Sequence, residues 1–150
     1  MMQRIILFII VINFSLCGLS QDINARQNVV DSITKIEMNL NAFGVESDDF
    51  PSIQAFIDFR NDSSKCKRSY YNPAVKPSTY ELSDKEIKKI IALWKHSDLK
   101  KLKREYTTPK TDQPTSTTII YVGQQKFIIK DYGLVGDPPL QELYKIIYKL

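Results

Sequence analysis

Ser83-Asp84-Lys85-Glu86-Ile87-Lys88-Lys89-Ile90-Ile91-Ala92-Leu93-Trp94 is the stretch that decides the fold class. Ser83, followed three residues later by Glu86, forms a capping box, in which each side chain satisfies a backbone N–H left free by the first helical turn. Ile87, Ile90, Ile91 and Trp94 then fall at i, i+3, i+4 and i+7, which gathers them on one face of an amphipathic helix ending near His96. A face of that kind has to be buried, and the flanking segments show what is available to bury it.

Upstream the periodicity changes from 3.6 to 2. Thr34, Ile36, Met38 and Leu40 alternate with Lys35, Glu37 and Asn39, the pattern of a strand with one buried face. Phe43 to Pro51 reads as a loop, with Glu46, Asp48 and Asp49 solvated. Ile53, Ala55, Ile57 and Phe59 alternate again. The turn formers Asn61-Asp62-Ser63-Ser64 then send the chain back along Cys66 to Tyr71. Pro73 and Pro77 exclude regular pairing over 72–78.

Downstream, Leu99 and Leu102 point inward from a possible further turn. Thr107 to Pro114 is a loop. Two β-rich runs, Thr117 to Val122 and Lys126 to Lys130, flank Gly123-Gln124-Gln125 as a second hairpin. After Gly133 and Gly136, Asp137 caps a last helix with Pro138 at its first position. Leu140, Leu143, Tyr144 and Ile147 form its stripe. The order β-β-β-α-β-β-α predicts an α+β fold: a mostly antiparallel sheet with two helices packed on one face.

The N-terminus is set apart from this domain. Arg4, the apolar run Ile5 to Ile12, and Gly18 and Ser20 before Gln21 have the form of a secretory signal peptide. Asn13 and Ser15 interrupt the run before the roughly 20 apolar residues of a spanning helix. Residues 1–20 are therefore expected to be removed, leaving a single domain over 21–150 that is exported, periplasmic or secreted, with no transmembrane segment. Cys17 follows Leu16 rather than a small residue, so plain cleavage is favoured over lipidation.

The formal charge of +4 is ordinary for a soluble protein and gives no reason to expect a nucleic-acid ligand. Once the leader is gone, Cys66 is the only cysteine and cannot form an internal bridge. It reads as a small core residue.

Catalytic and metal motifs are missing. There is no Gly-x-Ser-x-Gly, no phosphate loop and no His-Glu-x-x-His, so no cofactor and no metal is assigned. His96, the only histidine, falls at a helix end, where its charge suits the dipole; Cys66, on a strand, is not placed to pair with it. Asp112 reads as a turn organiser whose carboxylate accepts nearby backbone N–H groups. Asp131 and Tyr132 end a strand and read first as turn residues. Lys88, Lys89, Lys95, Lys100, Lys101, Lys103 and Arg104 form a basic stretch. It reads as a solvated face, with contact to an anionic envelope surface as the sharper alternative. Tyr70 and Tyr71 follow the first hairpin, and exposed tyrosines there could stack a sugar or a peptide.

The candidate binding residues are thus Asp112, Asp131, Tyr132, Tyr70 and Tyr71. The favoured function is a non-catalytic binding or interaction module of the cell envelope, with an envelope protein or a glycan as partner. The alternatives are an enzyme using Asp112 and Asp131 as paired carboxylates and a purely structural envelope protein.

Thr111-Asp112-Gln113-Pro114-Thr115, the strand to Val122, Lys130-Asp131-Tyr132-Gly133 and the following Pro-Leu-x-x-Leu helix together resemble a family of exported bacterial domains known only as domain of unknown function 6438. The resemblance covers about 33–150. It implies the same fold order and export, and no activity. The family's Cys-Phe-Gly and Cys-Pro elements stand here as Ala42-Phe43-Gly44 and Phe50-Pro51, so any role that needs the cysteine pair does not carry over.

Overall fold

The computed structural model describes residues 33–95 and 97–150. The signal peptide, its cut after Ser20, the Cys17 question and His96 lie outside the described residues. In chain order the elements are β1 (Ile33–Asn41), β2 (Ser52–Asp58), β3 (Ser63–Ser69), β4 (Ser78–Tyr80), α1 (Asp84–Lys95), a 3-10 turn (Leu99–Lys101), β5 (Glu105–Thr107), β6 (Thr115–Val122), β7 (Gln125–Tyr132) and α2 (Pro138–Tyr148).

All seven strands form one sheet in the order β4-β3-β2-β1-β6-β7-β5. The first strand is central, paired with β2 on one side and β6 on the other, and its inward face, Ile36, Met38 and Leu40, is buried throughout. Every pairing is antiparallel except β5 on β7. The expected α+β order is present, and two short edge strands, β4 and β5, add to it. β4 starts directly after Pro77, where the backbone donor returns. β5 occupies the stretch read as a helical turn. The turn itself is confined to Leu99–Lys101, where the Asp98 carboxylate caps Lys100 N at 3.1 Å.

Alternation along the strands separates two faces. Ile36, Met38, Leu40, Ile53, Ala55, Ile57, Cys66, Ser116, Thr118, Ile120, Ile129 and Asp131 point to the side covered by the helices. Cys66 is a core residue there, and burial pushes its thiol up to about 11, which leaves it unreactive.

The capping box forms as read. Glu86 Oε2 accepts from Ser83 N at 2.8 Å, and Glu86 N donates to Ser83 Oγ at 3.4 Å. The buried stripe of α1 differs by one position from the expected one. Ile90 and Trp94 are buried, with Ile87 and Leu93 packed beside them, while Ile91 is 37% exposed. Both i+3 and i+4 continue the stripe from Ile87, and in the packed domain burial falls on Ile90, with Leu93 beside it, rather than on Ile91.

The carbonyls that end α2 are met by side chains of β3 and β4. Arg68 Nη2 donates to Tyr148 O at 2.8 Å, and the Tyr80 hydroxyl donates to Ile147 O at 2.5 Å. Lys149 takes the left-handed cap conformation and reaches Glu86 at 2.9 Å, joining the end of α2 to the start of α1. Among the described residues no helix is long and apolar enough to cross a membrane.

Two outcomes follow for variants. Ile90→Ala should cost about 2–5 kcal/mol in a denaturant titration, and Ile91→Ala under ~1 kcal/mol; equal losses would mean the stripe is misassigned. The bonds from Ser83, and then Lys149, hold the Glu86 carboxyl at about 2. A carboxyl held low stabilises the fold above its unfolded value, and that gain is lost as pH falls through the folded value. The melting-temperature gap between wild type and Glu86→Gln should be full at pH 7 and shrink from about pH 4.5 to about 2. A gap independent of pH would show that charge is not its origin.

Candidate functional site

Strand register places four of the five sequence-nominated residues at one end of the sheet. Asn41 pairs with Thr115, Thr115 with Tyr132, and Ser52 with Ser69. The loops that leave this end are 42–51, 70–77, 108–114 and 133–137. Tyr70, Tyr71 and Asp112 lie on these loops, and Tyr132 is the last residue of β7. Asp131 lies one row below, on the opposite face.

The rim of these loops is aromatic. Phe43 is 90% exposed and Tyr71 is 84% exposed, each a large apolar surface held in water. Tyr70 and Tyr132 are half-buried. The loops are joined rather than free: Asn72 N donates to Asp48 O at 3.2 Å, and Asn72 Nδ2 to Asp49 Oδ1 at 2.9 Å. Ala42 N donates to Ser52 Oγ at 3.1 Å, and Phe43 N to Asn41 Oδ1 at 2.8 Å, which fixes the backbone that carries the Phe43 ring. A rigid sheet that presents tied loops with exposed aromatics is a common way to build a binding surface.

Phe43 was not nominated from the sequence.

Asp112 is exposed and left-handed, with φ at 56°. Among the described residues its carboxylate accepts no hydrogen bond, contrary to the expected turn-organising role. The amide of Gln113 ties the turn instead, donating to Thr111 O at 3.1 Å and Asp112 O at 3.5 Å. Asp suits the position because a short polar side chain tolerates positive φ. Gln113 N donates to the Tyr132 hydroxyl at 3.3 Å, so Tyr132 also serves this turn.

Asp131 is 0% exposed. Its carboxylate accepts from Val135 N at 2.9 Å, Gly136 N at 2.8 Å and the Tyr144 hydroxyl at 3.0 Å. Burial, then the Asp131 charge, raises the Tyr144 hydroxyl far above its ordinary value, so it remains a donor. Tyr144 stacks on Tyr148 with ring centres 5.6 Å apart, and the Tyr148 hydroxyl shares a 2.8 Å hydrogen bond with Ser116. A Cβ at Gly136 would stand 2.8 Å from Asp131 Oδ2 and 2.8 Å from Leu140 Cδ1. Glycine is needed there for close approach.

Asp137 sits at the expected cap of α2, but its side chain makes no cap bond. Its carboxylate accepts the Tyr106 hydroxyl at 2.6 Å, because β5 brings that ring alongside.

A family model described as "Domain of unknown function (DUF6438)" matches residues 49–150. No curated protein and no solved structure matches the chain.

Asp131→Ala would strand three donors at about 1–3 kcal/mol each, so a loss of about 3 kcal/mol or more is expected in denaturant titration. Tyr144→Phe should cost about 1 kcal/mol. Unchanged stability in Asp131→Ala would free that carboxylate for a chemical role.

Proposed function

The chain belongs to this family of domains of unknown function, and from that premise we propose that it is a non-catalytic binding or interaction module exported to the cell envelope. The observation that carries this reading is the pair of large aromatics, Phe43 and Tyr71, held almost fully in water on loops of the same sheet end. Aromatic rings at this exposure suit stacking on a sugar ring or packing against a partner's apolar side chain. Tyr70 and Tyr132 extend the surface, and Asp112 adds an acceptor at its border. An envelope protein or a glycan is the class of partner. The leader-like residues 1–20 support export.

The enzyme reading, with Asp112 and Asp131 as paired carboxylates, has less support. Paired carboxylates must both reach substrate. Asp131 is enclosed and already accepts three internal hydrogen bonds. Asp112 stands exposed on a loop.

Immobilised wild type should retain a discrete protein or glycan from envelope extract. A Phe43→Ser, Tyr71→Ser double variant should lose at least tenfold of it at an unchanged melting temperature. Equal recovery by both would place the surface elsewhere. Recovery of the chain from the exported fraction with Gln21 as its first residue checks the compartment, and a lipidated Cys17 would replace a free domain with a membrane-anchored one.

A further inference from the structure

On the edge of the sheet beside β5, the chain leaves a strand half covered. β5 pairs only with Lys130–Tyr132 of β7. There Lys130 N donates to Arg104 O at 2.9 Å, and Thr108 N to Tyr132 O at 3.2 Å. The even-numbered residues of β7 therefore turn their backbone groups away from β6. By the alternation of an antiparallel ladder, Ile128 and Lys126 do the same. Among the described residues no backbone partner meets them. The segment before β5 stands off from this half of the strand, and the two line a half-open cleft of about 560 Å³.

The cleft has a definite chemistry. Its charged lining is Lys100, Lys103, Arg104 and Lys126, with no acidic residue among the lining side chains. Its apolar lining includes Leu102, Phe127 and Ile128, and Ile128 is 41% exposed. Unpaired N–H and C=O groups, apolar side chains on both faces of the strand edge and a cationic rim occur together.

We propose that this cleft binds an extended acidic peptide segment of a partner protein, which adds to β7 as an eighth strand alongside Gln125–Ile129. Strand addition supplies backbone partners for Lys126 and Ile128. Five residues of strand span roughly 17 Å. Alternate side chains of the incoming segment fall beside Phe127 on one face of the sheet and beside Lys126 and Ile128 on the other, and acidic ones reach the surrounding cations. A second copy of this chain does not fit, because its own cleft would bring Lys100, Lys103, Arg104 and Lys126 again to the same place. An anionic membrane surface could meet the rim charges, but it offers no strand to pair with the backbone groups of Lys126 and Ile128. The site is distinct from the aromatic loop end and stands or falls independently of it.

The test uses the full chain and a fluorescent, capped peptide of alternating Val and Glu residues. Three outcomes support the proposal. Amide hydrogen exchange at Lys126 and Ile128 slows at least tenfold with the peptide. A Lys103→Glu, Arg104→Glu variant, both positions being exposed, binds at least tenfold more weakly while keeping its melting temperature. A peptide of the same charge with alternate amides N-methylated loses binding. Unchanged exchange at Lys126 and Ile128 overturns it, as does equal binding of the N-methylated peptide. So does charge-reversal that abolishes binding to phosphatidylglycerol vesicles while the peptide does not bind, an outcome that assigns the rim to lipid.

Discussion

The Asp131 carboxylate, sealed near the end of β7, accepts the amides of Val135 and Gly136 and the hydroxyl of Tyr144, and so joins strand, loop and helix at one point. In a medium of low dielectric such bonds are strong, and an unmet partner is correspondingly costly. The loop it holds contains two consecutive left-handed residues, Gly133 at 91° and Leu134 at 56°. Leucine in that region costs about 1–2 kcal/mol, which the two amide bonds and the packing of Leu134 against the core offset. The direction of α2 is set here. From it follow the stacking of Tyr144 on Tyr148, the bond to Ser116, and the position of the last helical carbonyls under Arg68 and Tyr80.

Because both helices lie on one face, the opposite face of the sheet meets solvent, and its residues are arranged accordingly. Lys35 and Glu37 pair at 2.6 Å, the Tyr121 hydroxyl donates to Glu37 at 3.1 Å, and the Lys35 ammonium lies over the Tyr121 and Phe56 rings. The bond from Lys35 is the main reason the Glu37 carboxyl is lowered, and the same bond raises Lys35. Such a half-buried pair at the surface organises that face more than it stabilises the fold. The sheet edges are closed by very short strands, a known protection against edge-to-edge pairing. On the β7 side that protection covers only three residues, and lysine and arginine line the remainder.

Of the candidate site residues, Asp112 lies in a loop as its turn-forming neighbours and Pro114 imply, whereas Tyr70 and Tyr71, expected at the end of the third strand, lie just beyond it, because β3 stops at Ser69. Their common location was not legible. It depends on the register of β1 with β6 and β2 with β3, contacts between residues far apart in the chain. Phe43 escaped notice for the same reason: no local pattern tells whether a loop aromatic is folded back or left in water. Asp112 was given the wrong physical role. Its residue type fits either a hydrogen-bonding turn or a left-handed backbone, and only the dihedral distinguishes them.

Periodicity, capping and turn chemistry by themselves determined the order of elements, the one-sided burial of the sheet, the capping box of α1 and the core position of Cys66, since each is set by residues within a few positions of one another. The tertiary structure decided what depends on the meeting of distant segments: Ile90 with Leu93 rather than Ile91 on the buried stripe, the parallel β5 strand, and the transfer of Asp137 from helix cap to partner of Tyr106. It also decided that Asp131 is enclosed rather than presented. A strand-end carboxylate reads the same in sequence whether it faces solvent or a helix, and only the packing of α2 over β7 removes the water.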